Sequence, residues 1–248
     1  MEDFFMRMSV ITLNKRRMTE RICELLLILT VLLSTVLGAI LDVYVEYLTA
    51  SASAEPKLPT VIIDAGHGGE DSGAVGVNGA MEKDLNLDIA LLVGEELISR
   101  GYTVVYTRTE DKLLYKPEEN IKGIRKISDL KNRCAIANSY ENAIFVSIHM
   151  NSFGSAKYSG LQVYYSMGNG ESYALAERIQ SKVRDDLQPD NRRVIKEGKG
   201  IYVLENIKHP AVLVECGFLT NKEECENLSQ KEYQKRLSFS IVCGIIDT

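Results

Sequence analysis

The sequence predicts an α/β domain built on a mostly parallel, twisted sheet of about six strands with helices on both faces. Over residues 60–248, short apolar runs rich in β-branched residues alternate with longer amphipathic segments. This alternation is typical of parallel strands covered by helices. With 45% hydrophobic and 25% charged residues, the composition is that of a globular protein. Roughly 190 residues are enough to form one hydrophobic core.

A segment long enough to cross a membrane precedes this domain. Basic residues cluster over residues 15–21, and an almost wholly apolar run follows from Ile22 to Leu41. The basic flank predicts that the amino terminus stays in the cytoplasm and that the rest of the chain is exported. We therefore divide the chain into a cytoplasmic basic segment, a transmembrane signal anchor or signal peptide, a linker and a folded domain. Their bounds are 1–21, 22–48, 49–59 and 60–248.

Two interpretations of the apolar segment stay open. Its length favours an uncleaved signal anchor, whereas Ala52-Ser53-Ala54 offers a small-x-small site for cleavage of a signal peptide. A buried core helix is a weaker alternative, because the run is apolar all round. Either main interpretation predicts an extracytoplasmic domain, membrane-anchored or secreted.

The elements of the domain follow from hydrophobic periodicity and turn residues. Strands are expected at Thr60–Ala65, Tyr102–Thr107, Ala143–Ile148, Leu161–Ser166, Ile201–Leu204 and Ala211–Val214. Helices are expected at Leu85–Ser99, Asp129–Tyr140, Ser172–Leu187 and Glu232–Ile246. Gly66–Ala80 is a glycine-rich loop without the phosphate-binding pattern. The charged stretch Arg108–Lys131 is expected to be a solvated loop, or else a lid or partner-docking insertion.

Three ionisable residues come directly after predicted strands. His67 follows the first strand, His149 the third and Glu215 the last. Parallel strands end at the same edge of a sheet, which is where α/β proteins bind ligands. Glu82 lies just past the loop that leaves this edge, so the sequence predicts that two imidazoles and two carboxylates converge at one site.

Two imidazoles and one carboxylate, with a fourth position left for water, are the ligands of a catalytic Zn²⁺ ion. Such an ion lowers the pKa of a water to about 7 and polarises a carbonyl group. A second carboxylate can then move protons between the water and a leaving amine. We assign Glu82 as the carboxylate ligand, because it lies near His67, and Glu215 as the base, because it lies at a rigid strand end.

Each assignment has an alternative. Glu82 could simply be a carboxylate favoured by a helix dipole, and Glu215 could form a structural salt bridge with Arg108 or Arg133. His209 precedes Pro210, and we expect it to lie in a loop rather than to bind the metal.

Other classes of function are disfavoured. The net charge of -5 argues against binding nucleic acid, which normally requires a basic face. There is no G-x-S-x-G nucleophile motif. The five cysteines form no C-x-x-C pair that would indicate a thiolate metal site.

Four segments together resemble the motifs of one enzyme family. In chain order they are Asp64–Gly69 (DAGHGG), Glu82–Leu87 (EKDLNL), Ser147–Ser152 (SIHMNS) and Val214–Leu219 (VECGFL). They resemble, in order and spacing, the zinc-dependent N-acetylmuramoyl-L-alanine amidases of the amidase-3 type. The resemblance implies that the chain hydrolyses the amide between N-acetylmuramic acid and L-alanine in peptidoglycan. It also implies that His67, Glu82 and His149 bind Zn²⁺ and that Glu215 is catalytic.

The layout of the chain narrows the resemblance. A short chain with an amino-terminal membrane segment and no wall-binding repeats is similar to sporulation amidases that act on spore cortex in the intermembrane space of a developing spore. Some of these depend on a separate activating protein. Two departures from the family pattern are Met150, where a small residue is common, and the charged insertion Lys112–Lys126. The alternatives are another zinc-dependent peptidoglycan hydrolase (a peptidase or deacetylase) and a wall-binding module without activity.

Overall fold

The computed structural model describes residues 2–52, 58–121 and 123–246, which fall into two units, Met1–Lys57 and Leu58–Thr248. The first unit contains helix α1 (Glu2–Ala52). Within α1, Asn14–Thr49 is the one segment of the described chain that is long and apolar enough to span a membrane. Two of the three residues of the predicted cleavage site Ala52-Ser53-Ala54 lie outside the described residues, as does the part of the predicted linker over 53–57.

The second unit is organised on a six-stranded sheet, in agreement with the predicted fold class. Its strands are β1 (Thr60–Ala65), β2 (Val104–Tyr106), β3 (Ala143–Asn151), β4 (Gln162–Tyr165), β5 (Lys196–Glu197) and β6 (Ala211–Phe218). Its helices are α2 (Glu82–Ser99), α3 (Arg125–Asn138), α4 (Gly170–Leu187), α5 (Tyr202–Asn206), α6 (Lys222–Leu228) and α7 (Lys231–Ile246). The spatial order is β2-β1-β3-β6-β4-β5, and every neighbouring pair is parallel except β4 and β6.

The two faces of the sheet bury different sets of side chains, because successive residues of a strand point to opposite faces. Ile63 on β1 packs in the larger core with residues of α2, α4 and α7. Its neighbour Ile62 packs in a smaller core with residues of α3 and α5. Asp64, two residues after Ile62, therefore belongs to the face with the smaller core, as do His149 on β3 and Glu215 on β6.

Strand β5 and helix α6 have no predicted counterpart, and the predicted elements differ from the structure in three further respects. Ile201–Leu204 is not a strand but leads into helix α5, because an apolar run of four residues has no periodicity that separates a strand from a buried helical turn. Strands β3 and β6 continue through Asn151 and Phe218, so His149 and Glu215 lie inside strands rather than after them. Helix α3 begins at Arg125, and the last residues of the predicted charged loop are helical.

Candidate metal centre and active site

Strand register places one row of polar side chains across the sheet. His149 on β3 is the neighbour of Glu215 on β6, and Glu215 is in turn the neighbour of Gln162 on β4. Paired residues on adjacent strands project to the same face. The face with the smaller core therefore presents an imidazole, a carboxylate and an amide side by side, on β3, β6 and β4 respectively.

His67 lies in the turn that leaves β1 and reaches the same region. Its φ of 61° is in the left-handed region, which is uncommon for a residue other than glycine. The turn is held by Arg133, whose Nη2 donates to the His67 carbonyl oxygen at 2.8 Å. Gly66 has no room for a side chain, because a Cβ there would lie 2.1 Å from Nε2 of His149. The glycine therefore lets the backbone pass directly against the second imidazole.

The first residue of α2, Glu82, joins the two histidines. Its Oε1 lies 3.2 Å from Nε2 of His67 and 3.0 Å from Nδ1 of His149. The imidazole centroids are 5.0 Å apart. Glu82 is buried, and the backbone N–H groups of Ala74 and Met150 donate to its two carboxylate oxygens at 2.8 and 3.1 Å. These contacts fix the carboxylate between the two rings.

This arrangement fits a zinc ion. One nitrogen from each of His67 and His149 and one oxygen of Glu82 all lie within 4.8 Å of one another. Ligands about 2.1 Å from a tetrahedral ion are about 3.4 Å apart, which is close to the observed contacts. Burial opposes ionisation of Glu82, but hydrogen bonds from both histidines outweigh it and hold the pKa of Glu82 well below its usual range. The donor set is therefore an ionised carboxylate and two imidazoles aimed at one point.

Glu215 has the environment of a proton-transfer group rather than that of a salt-bridge partner. Its Oε2 is shielded from solvent and has no hydrogen-bond partner among the described residues. Burial raises the pKa of Glu215 to about 6, although His149 beside it acts in the opposite direction. A carboxylate with a pKa near neutrality can both accept and donate a proton at physiological pH.

The alternative salt bridges of Glu215 are not formed within the described part of the chain. Arg133 instead pairs with Asp64 at 2.6 Å and with Asp129 at 2.8 Å. Arg108 donates to backbone carbonyl oxygens, including that of Ala65 at 2.9 Å. Both arginines are buried and hold the strand end and turn that carry His67.

A cavity of about 280 Å³ adjoins two of the candidate metal ligands, His67 and His149. One wall is the amino-terminal half of α3 with Lys126 and Leu130, and the other is the segment Gly200–Val203 that leads into α5. His67 and His149 line its floor. Met150, a departure from the family pattern, is buried in the larger core on the opposite face and so does not obstruct this cavity.

Sequence reasoning missed the groups that support the site. Asp64 is a carboxylate at the end of an apolar strand, and its buried partner Arg133 is 69 residues away along the chain. Asp71 was also missed, and its Oδ2 lies 3.0 Å from Nδ1 of His67. His209 lies two residues before the start of β6, outside any helix or strand, in keeping with the expected loop position.

We expect Asp71→Ala to weaken zinc binding by about 10- to 100-fold, because carboxylates that orient a ligating histidine contribute about this much to metal affinity. Without Asp71, Nδ1 of His67 loses the carboxylate that lies 3.0 Å from it and orients the ring. Competition with a colorimetric chelator measures the affinity directly. Glu70→Gln is the matched control, because Glu70 is adjacent but pairs with Arg125. Equal zinc affinity of Asp71→Ala and the wild type would remove Asp71 from this role.

Comparison with known proteins places these residues in a family context. The sequence model of the Amidase_3 family, described as N-acetylmuramoyl-L-alanine amidase, matches residues 61–247. The chain is 37% identical over 188 residues to the germination-specific N-acetylmuramoyl-L-alanine amidase of Bacillus subtilis, covering 75% of this chain and 78% of that protein.

Solved structures agree with the sequence comparison. The CwlD amidase from Clostridioides difficile in complex with the GerS lipoprotein is similar to this chain with a TM-score of 0.74 and 38% identity, covering 77% of this chain and 98% of that one. The amidase AmiC2 of Nostoc punctiforme has a TM-score of 0.66 and 33% identity, with 76% and 96% coverage.

Proposed function

The chain belongs to the Amidase_3 family of N-acetylmuramoyl-L-alanine amidases, and we propose that it hydrolyses the amide between N-acetylmuramic acid and L-alanine at a zinc centre formed by His67, Glu82 and His149. The observation that supports this most directly is the convergence of the three candidate ligand atoms within 4.8 Å, beside a half-buried Glu215. When bound, zinc supplies a Lewis acid that polarises the amide carbonyl and lowers the pKa of a water.

Glu215 performs the proton transfers in this proposal. Its carboxylate takes a proton from the attacking water as the water oxygen bonds to the amide carbon. The protonated Glu215 then gives that proton to the alanine nitrogen as the carbon–nitrogen bond breaks. Its position on a central strand, next to His149, holds the carboxylate beside the metal centre. The products are a free lactyl carboxylate on the glycan and a free alanine amine on the peptide.

The biological setting is proposed from the relatives. One similar protein is named as germination-specific, and one similar structure contains a lipoprotein partner. We therefore propose that this chain acts on spore cortex and that a separate activating protein raises the basal activity that the chain has alone. The charged insertion, which packs Lys126 within 3.5 Å of Asp71 beside the metal centre, is our candidate docking region for that partner.

The amino-terminal segment fits an extracytoplasmic enzyme. The long apolar helix supports a signal anchor or signal peptide over residues 22–48, with 1–21 in the cytoplasm, 49–59 as the linker and 60–248 as the exported catalytic domain. The intermembrane space of a developing spore is the location that this layout and the proposed substrate favour together.

A peptidoglycan digest with and without a chelator tests the proposed function. We expect the zinc-supplied full chain to release intact stem peptides with a free L-alanine amine, detected by mass spectrometry. The chelator should abolish this release, and added Zn²⁺ should restore it. Cleavage within the stem would indicate a peptidase, and loss of acetate would indicate a deacetylase. Binding without any new product would indicate a wall-binding module, and each of these three outcomes contradicts the amidase assignment.

A further inference from the structure

Arg193 contacts Gln162, which is the neighbour of Glu215 on the side away from the metal centre. Glu215 has His149 as its neighbour on β3 and Gln162 as its neighbour on β4. The Gln162 side chain is 2% exposed, and its Oε1 accepts a hydrogen bond from Nη2 of Arg193. The order across the sheet is therefore metal ligand, base, amide and guanidinium.

The segment that carries Arg193 is held firmly against the sheet. Nε2 of Gln162 donates to the Val194 carbonyl oxygen at 2.7 Å, and Nδ2 of Asn191 donates to the Leu161 carbonyl oxygen at 2.9 Å. The Arg193 guanidinium lies 4.8 Å from the centroid of the Phe218 ring, a favourable cation–π distance. The cation is thus preorganised, which lowers the entropic cost of binding a ligand.

Arg193 has hydrogen-bonding capacity to spare. A guanidinium has five N–H donors, and within the described part of the chain only the Nη2 group of Arg193 has an acceptor. No described carboxylate lies within salt-bridge distance of it. The nearby Glu224 accepts instead from the backbone N–H groups of Gly160 and Phe218. Arg193 also lines a cavity of about 610 Å³ together with Tyr158 and Asn191.

We propose that Arg193 binds a free carboxylate of the substrate's peptide stem, the α-carboxylate of the residue that follows the alanine. This inference rests on the proposed amidase function. The glycan side of the scissile amide offers a guanidinium no charged partner, whereas the peptide side carries carboxylates. Gln162 lies one strand spacing, about 4.8 Å, from Glu215. An extended peptide covers about 3.4 Å per residue, so a stem that runs from Glu215 past Gln162 carries its second residue toward Arg193.

Two synthetic muropeptides test this proposal, identical except that the second residue carries a free α-carboxylate in one and a carboxamide in the other. We expect the zinc-supplied full chain to cleave the carboxylate form with a kcat/KM about 10- to 100-fold higher, the effect of one charge-assisted hydrogen bond. Arg193→Gln should remove this preference, mainly through a higher KM for the carboxylate form. Arg193→Lys keeps the charge and should restore part of the preference.

The preference for the carboxylate substrate over the carboxamide substrate shows whether Arg193 recognises the carboxylate or only supports the structure. General damage to the site would lower the cleavage rates of both substrates equally. Arg192→Gln is the matched control, because it removes the same charge at the adjacent position. The Arg192 side chain is exposed and donates to the Pro189 carbonyl oxygen, so this variant should keep the wild-type preference. Equal cleavage of the two substrates by the wild type, a preference that survives Arg193→Gln, or its equal loss in Arg192→Gln would each overturn the proposal. Cleavage of neither substrate by the wild type would instead overturn the amidase function, and this inference with it.

Discussion

Replacing Glu215 by glutamine is expected to lower kcat on peptidoglycan by about 10²- to 10⁴-fold while leaving the zinc content unchanged. Glutamine has nearly the same shape but cannot take up a proton from water. Glu215 is not among the three groups whose ligand atoms converge, so metal binding should not depend on it. Turnover of released stem peptides and elemental analysis of the purified variant measure the two quantities.

His67→Ala provides the contrast for this experiment, because it removes a candidate ligand and should lose both zinc and activity. The folding stability of Glu215→Gln shows whether a loss of activity comes from the missing carboxylate or from general damage to the fold. The folded protein raises the pKa of Glu215 to about 6, so the ionised carboxylate disfavours folding above that pH. The metal-free glutamine variant should therefore be at least as stable as the metal-free wild type at pH 8. Activity close to that of the wild type would remove Glu215 from the mechanism.

Replacing Arg133 by methionine is expected to lower the free energy of unfolding by about 3–5 kcal/mol, which is the usual effect of removing one partner from a buried ion pair. Arg133 and Asp64 are each about 2% exposed in their side chains, and their charged atoms lie 2.6 Å apart. Methionine fills much of the volume but leaves the Asp64 carboxylate buried without its cation. Urea denaturation followed by circular dichroism measures the loss.

Lys131→Met is the matched control for Arg133→Met. It removes a charge from an exposed position on the same helix and should change stability by no more than about 0.5 kcal/mol. The pH dependence gives a second check. Although burial opposes it, the charge of Arg133 lowers the pKa of Asp64, so this stabilisation is present at neutral pH and is lost on acidification below about 4. The difference in the free energy of unfolding between Arg133→Met and the wild type should therefore become smaller in that pH range. A gap below about 1 kcal/mol at pH 7 would show that the pair contributes little.

Some features of the fold could be predicted because they depend on local sequence. The apolar run Val61–Ile63 predicts a buried strand, and the helical spacing of apolar residues within Leu85–Ser99 predicts a helix with a buried face. Both patterns can be recognised within a few residues. The failures also have local causes. Helix α5 is only five residues long, and β5 has two residues. Elements this short contain too few side chains for a period to be recognised.

The candidate site was predictable to the extent that topology determines it. Parallel strands end at one edge of a sheet, so the order of elements along the chain predicts that His67 and His149 lie close together. The sequence could not give the partners of Glu215. Whether Glu215 pairs with an arginine depends on which side chains lie on the same face of the sheet, and the register between strands determines that.

The sequence by itself was enough to predict the sheet, the helices that cover it and the four residues assigned to chemistry. Hydrophobic periodicity and the succession of strands and helices along the chain are properties of the sequence. Only the tertiary structure decided that Arg133 is bonded to Asp64 and Asp129, that Asp71 lies against His67 and that Arg193 contacts Gln162, the neighbour of Glu215. These contacts join positions that are far apart along the chain or on different elements, and a shift of a few ångströms would break them. Hydrogen bonds act over about 3 Å, so their partners are chosen by packing rather than by sequence pattern.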